Sequence, residues 1–490
     1  MEDKRKTKGQ VFTPPSIVKS MLDYCKYRGQ DVLNSHIIDN SCGNGAFLCE
    51  IVERYVRSAK GEGWKNSEIK AGLEEYVHGM DNDKAVLEQC LGNLRCVTER
   101  LGITEVAWDV RCADALTVHS YDGRMDFVVG NPPYIRVHNL NETYSRVKSF
   151  RFADAGMTDL YLVFYEIGFK MLSPTGKLCY ITPSSWLNSI AASNLRRHIV
   201  RHKLLAELTD LGHFQPFDNA TTYTTIALFD RLHAGNTVAF YQYDGVKSCR
   251  NMVAVLPMTS VCIGGSFYLG DEAGLRELKA VKETTHPRYV SVKNGFATLA
   301  DKVFIGDNLP DSPITIPVVK ASTGKTHKCI YPYDKHGKPL SESYVLGLPG
   351  VGEHLLRNKA LLLKGRGERS DWYLYGRTQA LADVWKKKMS VSSLIRDEHD
   401  LKFVEADEET GVFGGLYITQ NANIPFDEIR GIIASSDFSA YIRMLRKYKS
   451  GGYYTFSSKD LEQYINYQIT KRTQSHAYQP AIPEDNTRFF

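Results

Sequence analysis

Seven short apolar runs in the first half of the chain limit the folds open to it. They are SHIIDNS (35–41), YVHGMD (76–81), AWDVRCAD (107–114), MDFVVGN (125–131), KLCYITP (177–183), LLAELTDL (204–211) and YTTIALFD (223–230). Segments of helical periodicity separate them. In AFLCEIVERYVRSA, Phe47, Leu48, Ile51, Val52, Tyr55 and Val56 share one helical face. DLYLVFYEIGFKMLSPTGK (159–177) repeats that design and closes on a Pro and a Gly that stop a helix. Runs of this length, alternating with amphipathic helices, predict a doubly wound α/β fold around a mostly parallel, seven-stranded sheet.

The rhythm breaks after about residue 245, where short strand-like pieces (KVFI, ITIPVV, GGLYI, GGYYTF) and many glycines take over. A chain of 490 residues is too long for one ordinary core, so two domains are expected, 1–260 and 261–490, the second of mixed α+β type. The closing QPAIPEDNTRFF is expected to be a loose tail. No apolar run approaches the length that spans a membrane, and MEDKRKTKGQ lacks the apolar core of a signal peptide. A cytoplasmic location is therefore expected. The ten cysteines form no Cys-x-x-Cys pair and no zinc-spaced cluster, which suits reduced, mostly buried thiols.

The net charge of +5 permits a nucleic-acid partner without demanding one. Its clustering says more. RRHIVRHK (196–203), LLLKGRGERSDWYLYGR (361–377), VWKKK (384–388) and MLRKYKSGGYY (444–454) concentrate cations, and the second and fourth interleave them with aromatic residues. That pattern suits phosphate contacts beside stacking surfaces, although any one such run is more often a solvated face. Arg377, Lys447 and Lys449 are the DNA-binding candidates, the two lysines as phosphate contacts.

Four features fall at successive strand ends, where an open parallel sheet binds its ligands. In DNSCGNGAFL, Asp39 closes a strand and Gly43 and Gly45 permit a tight turn before a helix. The turn lacks the third glycine of a dinucleotide fingerprint and the Lys-Ser/Thr of a phosphate loop, so a nucleoside-like ligand fits better. In GMDND, Asp81 can accept two bonds from a ribose diol or cap the following helix, while Asp83, ahead of KAVLEQC, reads as a helix cap. In RCADAL, Asp114 taken singly reads equally as a cap or as an acceptor for an adenine amino group, and three acids at three neighbouring strand ends favour the ligand reading. The fourth feature is FVVGNPPYIRV. Pro132 and Pro133 carry no N–H and stiffen the chain beyond the strand, so the loop presents acceptors, the Asn131 side-chain oxygen and the Pro132 carbonyl, beside the flat ring of Tyr134. Two acceptors and a ring cradle a planar group bearing an NH2. Accepting both of its N–H bonds returns electron density to a nitrogen whose lone pair is otherwise delocalised.

Asn-Pro-Pro-Tyr after a strand, preceded by acidic strand ends, resembles the S-adenosylmethionine-dependent amino methyltransferases. More narrowly it resembles the γ-class, Taq-type N6-adenine DNA methyltransferases of restriction–modification systems. GQVFTPPSIVKSML (9–22) occupies the place of that family's N-terminal cofactor motif. The resemblance implies that Thr13 lies near the methionine part of the cofactor. It implies that Asp39 and the turn Ser41, Cys42, Gly43 and Gly45 hold the methionine end, with Asp81 on the ribose, Asp114 on the adenine and Phe164 packed against it. In HFQPFDNATTYTTIALFD (213–230), Phe217 would stack on the flipped base opposite Tyr134, with Phe214 as the competing ring.

By the same resemblance, residues 1–260 would be the catalytic domain and 261–490 the target-recognition domain. The reaction would be methyl transfer to adenine N6 in a specific duplex sequence, without a metal. The partners would be double-stranded DNA and a cognate endonuclease encoded separately, with no membrane and a monomeric chain. Position 40 is Asn, where the family often has a proline or apolar residue, which leaves the wall of the methionine pocket open. Other readings are an amino methyltransferase acting on RNA adenine or protein glutamine, and an inactive DNA-specificity subunit.

Overall fold

The structure, a computed structural model, describes residues 12–136, 144–154, 156–217, 222–364 and 371–477. The chain divides into two compact units, Met1–Arg276 and Glu277–Phe490, later than the boundary expected after residue 260. The C-terminal stretch 479–490, read as a tail, lies outside the described residues.

The first unit is built on one sheet. Its strands are β1 (Ile37–Asp39), β2 (Val77–Asp81), β3 (Asp109–Cys112), β4 (Met125–Gly130), β5 (Leu172–Pro183), β6 (Leu205–Asp210), β7 (Thr224–Asp230), β8 (Thr237–Asp244) and β9 (Cys249–Pro257). They lie in the order β3-β2-β1-β4-β5-β7-β6-β8-β9. Strands β1 to β5 pair in parallel, β7 runs antiparallel between β5 and β6, and β9 is an antiparallel edge on β8. Each of the seven apolar runs supplies one strand of this sheet. The sheet has nine strands where seven were expected, because TVAFYQYD and CRNMVAVLP add a hairpin beyond β6.

The crossovers form as their patterns dictate. Helix Ala46–Gly61 buries Phe47, Leu48, Ile51, Val52, Tyr55 and Val56, the face read from the sequence. Helix Leu160–Met171 is buried almost all round, as a helix under a sheet centre must be. It ends at Met171, and the Ser-Pro-Thr-Gly stretch after it already belongs to β5. Asn40, the residue at variance with the resembling family, is buried, accepts from the Tyr180 hydroxyl at 2.9 Å and turns its amide to the Met171 sulfur. The amide is therefore satisfied within the fold and joins β1 to β5.

The second unit carries two four-stranded sheets and one of three strands. Strand Val290–Asn294 is an edge whose backbone is covered by helix Ser458–Ala477: Val290 donates to Asn466 at 3.0 Å and Val292 to Glu462 at 2.8 Å. KVFI, read as a strand piece, is mostly the short helix Asp301–Phe304. A core of Phe296, Phe304, Tyr331, Tyr333, Trp372 and Tyr375 fills this unit.

Candidate active site

The sheet order reverses at β1, whose neighbours are β2 on one side and β4 on the other, and this switch point opens a crevice at the carboxyl ends. Asp39 pairs with Val129, so the chain leaving β4 passes directly over the Asp39 side chain. A Cβ at Gly130 would sit 2.7 Å from Asp39 Oδ1, which only glycine avoids. Asp39 is 1% exposed and accepts from the Ser41 N–H at 3.1 Å. Burial pushes its carboxyl up to about 8, against that hydrogen bond and with help from the charge of Asp81. A cationic ligand group beside Asp39 would restore the carboxylate.

The turn after β1 is locked to the end of β2. Cys42 donates to the Met80 carbonyl at 2.9 Å, and Gly43 donates to Asp81 Oδ2 at 3.0 Å. The other Asp81 oxygen accepts from the Asp83 N–H at 2.9 Å. The cap of helix Lys84–Arg100 is Asp83, which accepts from Ala85 at 3.1 Å, so Asp81 is left facing the turn. Gly45 caps helix Ala46–Gly61 at φ 88°, and a Cβ there would meet Cys90 Sγ at 2.7 Å. Within this turn the Ser41 hydroxyl and the Asn44 side-chain oxygen are buried without a hydrogen-bond partner among the described residues. Such atoms suit a ligand that brings its own polar groups. Thr13 is buried, and the Phe12 ring lies against Gly43. Residues 9–11 of the N-terminal motif lie outside the described residues.

Asp114 lies just past β3. One oxygen accepts from the Leu116 N–H at 3.0 Å, and the other from Arg146 at 2.8 Å. Arg146 was not among the sequence candidates, and no pattern marks it. Phe164 is buried in helix Leu160–Met171.

Beyond β4, Pro132 is buried and Asn131 and Tyr134 are half-buried. The Tyr134 hydroxyl donates to the Ile181 carbonyl on β5 at 3.1 Å. Burial holds this phenol well above its ordinary pKa, so it stays a neutral donor that fixes the ring. The Tyr161 and Phe217 rings each stand edge-on to it at 6.3 Å. Phe217 thus meets Tyr134 in space, whereas Phe214 packs on Tyr243 at 5.1 Å. Phe217 is only 4% exposed, and the two rings are inclined at 67°, so an inserted base would have to part them and bring them parallel. Residues 218–221, which follow Phe217, lie outside the described residues.

The basic clusters separate. Trp372, Tyr373, Leu374 and Tyr375 are core, so they offer no stacking surface beside the exposed Arg377. Residues 365–370 of that cluster lie outside the described residues. Lys447, read as a phosphate contact, is 2.5 Å from the buried Asp460, which holds it as an internal counter-ion. Lys449 is exposed. Arg196 is buried and donates to the carbonyls of Trp186, Ser189 and Gly265. In VWKKK, Lys386 pairs with Asp383 at 2.8 Å, and Lys388 is buried and donates to the Val384 carbonyl at 3.1 Å. Among the described residues, no helix is long and apolar enough to cross a membrane.

The sequence profile of the Eco57I restriction-modification methylase family matches residues 58–217. The chain is 23% identical over 474 residues to the Type II restriction enzyme and methyltransferase RM.Eco57I of Escherichia coli, covering 76% of this chain and 47% of that one. It is 27% identical over 342 residues to the Type II methyltransferase M.XhoI of Xanthomonas vasicola, covering 63% and 61%. The chain thus spans about half the length of RM.Eco57I and about three fifths of M.XhoI. Among solved structures, that of the Type IIL restriction-modification enzyme MmeI in complex with DNA covers 91% of this chain and 63% of its own, with a TM-score of 0.59 and 12% identity. That likeness extends through both units and is one of fold.

Proposed function

We propose that the chain is a DNA methyltransferase of a restriction–modification system that moves a methyl group from S-adenosylmethionine to adenine N6 in a specific duplex sequence. The observation that carries the reading is the meeting of Asp39, the Asn131 loop and the Tyr134–Phe217 ring pair at one switch point. The similarity to Type II methyltransferases supports it.

The residues present fit the cofactor. Asp39 and the orphaned Ser41 hydroxyl suit the amino-acid end, Asp81 the ribose and Asp114 the adenine, with Thr13 and Phe164 completing the walls. When bound, the cofactor supplies a methyl group activated by its sulfonium. The chain supplies orientation and polarisation. The target amine is buried in the base stack, so the base must leave the duplex, at a cost of about a few kcal/mol. Tyr134 and Phe217 offset that cost by stacking, on the order of 1–3 kcal/mol each. The Asn131 oxygen and the Pro132 carbonyl accept the two N–H bonds and hold the nitrogen in line for attack. The proton leaves after transfer and needs no strong base. The second unit would read the sequence, and a cognate endonuclease would be encoded separately.

Expression of the full chain followed by modification-sensitive sequencing of the host genome tests the reaction and names the site together. N6-methyladenine at one sequence is expected. N4-methylcytosine, or no modification, would overturn the reading. At the cofactor site, Asp81→Ala should weaken calorimetric binding of S-adenosylmethionine about tenfold or more. Unchanged affinity in a folded variant would remove Asp81 from the site. For DNA, Lys449→Ala should reduce the slope of log affinity against log salt by about one, equally on cognate and random duplexes. An unaltered slope would make Lys449 a solvated cation, and the same titration on an Arg377 variant would show whether that residue reads a base.

A further inference from the structure

The three-stranded sheet of the second unit restrains one exposed side chain from three sides. Its strands are Leu394–Ile395, Tyr453–Thr455 and Tyr448–Lys449, paired antiparallel about the middle one. Arg396 follows directly on the first strand and is exposed. Its Nε donates to Asp400 Oδ2 at 3.0 Å and its Nη2 to Oδ1 at 3.2 Å, a side-on pairing of fork and carboxylate. The Arg396 backbone N–H also donates to Asp400 Oδ2, at 3.0 Å, which fixes the carboxylate in turn. The guanidinium carbon lies 4.7 Å from the centre of the Tyr453 ring. Gly451 and Gly452, at φ 74° and 78°, precede that ring, and a Cβ on Gly452 would reach within 3.9 Å of Arg396 Cδ. With no side chain there, the flank of the arginine stays open.

An exposed ion pair adds little to stability, and holding a long side chain in place costs rotamer entropy. The restraints therefore serve direction. Asp400 takes the Nε–H and one N–H of Nη2. The outer edge of the fork, Nη1 with the remaining N–H of Nη2, meets no acceptor among the described residues. It presents two parallel donors to solvent.

We propose that Arg396 reads a guanine, its outer N–H pair donating to O6 and N7 while Asp400 and Tyr453 hold the fork. The assignment rests on the reading of the chain as a sequence-specific DNA methyltransferase and gives its second unit one base contact. Among the bases, guanine alone sets two acceptors side by side in the major groove. A phosphate is the other group that such a fork matches. Charge decides between them. Asp400 offsets the guanidinium charge and Asp397 adds to the negative side, so the pull on a phosphate anion is weak. Guanine O6 and N7 are neutral acceptors, for which direction matters more than charge. Asp400 is thereby a positioning residue for Arg396.

The test is selection by the full chain from a pool of randomised duplexes, with sequencing of the bound fraction. It reads recognition without relying on methyl transfer. The unaltered chain is expected to select a sequence with guanine at one or more positions. Arg396→Ala should select the same sequence with one guanine position open to every base. It should bind the cognate duplex about tenfold or more weaker, at an unchanged slope of log affinity against log salt. Arg396→Gln keeps the stem on Tyr453 and presents an amide that matches adenine, so it should admit adenine at that position. Asp400→Ala releases the fork and should relax the same position. Arg396 is exposed, so both its variants should fold, which equal urea midpoints would show. Unchanged selection by both Arg396 variants, relaxation only at positions without guanine, or uniform weakening with the slope lowered by about one would each overturn the assignment. In those cases the unaltered chain still selects its site. A chain that selects no sequence would instead fail the function proposed above, and this assignment with it.

Discussion

Asn131→Ala should lower methyl transfer about 100-fold or more while leaving S-adenosylmethionine binding close to that of the unaltered chain. The two effects separate because the side chain sits beyond β4, whereas the proposed cofactor contacts sit on the turns after β1, β2 and β3. The Asn131 oxygen is one of only two acceptors assigned to the amine, and the charge it meets grows as the nitrogen attacks. An interaction that strengthens on the way to the transition state is lost from kcat. Single-turnover rates with saturating cofactor and duplex would measure it. Turnover within about tenfold of the unaltered chain would sink the assignment. Loss of cofactor affinity in step with rate would mean instead that the loop shapes the crevice around Asp39, which Gly130 already approaches closely.

The second large effect is on stability. Asp460 is buried in the second unit and accepts from Lys282 at 2.6 Å, Lys447 at 2.5 Å, the Ser457 hydroxyl at 2.6 Å and the Ser457 N–H at 2.9 Å. Ser457 returns the favour by accepting the Asp460 N–H, which completes a capping box on helix Ser458–Ala477. Asp460→Ala would leave two ammonium groups facing a missing counter-charge, with Lys282 largely buried, at a cost of about 3–5 kcal/mol. Burial alone would raise the carboxyl, yet the two lysines outweigh it and hold the pKa well below the carboxylate range. A folded pKa below the unfolded value of about 3.9 gives stability that is present above that value and lost as pH falls through the folded one. Urea unfolding of the full chain should therefore weaken below about pH 4, and Asp460→Ala should remove part of that dependence. A variant as stable as the parent at neutral pH would show that the triad contributes nothing net.

The first half of the chain was legible because its signals are local. A strand buried on both faces is an apolar run, and the acids and glycines at its end sit within a few residues of it. The β8–β9 hairpin was not recognised, since its residues are half exposed and Gly245 marks what looks like the end of a domain. The failures in the second unit share one cause, which is that composition does not say which side of a residue faces solvent. WYLY beside Arg377 reads as a stacking platform and is core. Lys447 reads as a surface cation, and its partner Asp460 only becomes its neighbour through the fold. Arg146 on Asp114 was invisible for the same reason, since the pair joins a crossover segment to a strand end with no pattern linking them.

That last pair gives the crevice an occupant of its own. A guanidinium stands where an exocyclic amine is proposed to bind, so on that reading loading would be an exchange, one donor displacing another. Both partners are partly exposed, at 52% and 33%, so dissolved ions shield the pair and ease the displacement. The same ions would weaken the grip on DNA phosphates that the proposed function requires. On the proposed function, ionic strength would pull the two ligands in opposite directions: dilute buffer would favour the chain held on DNA, concentrated buffer the chain loaded with methyl donor, and the order of assembly would become a property of the medium.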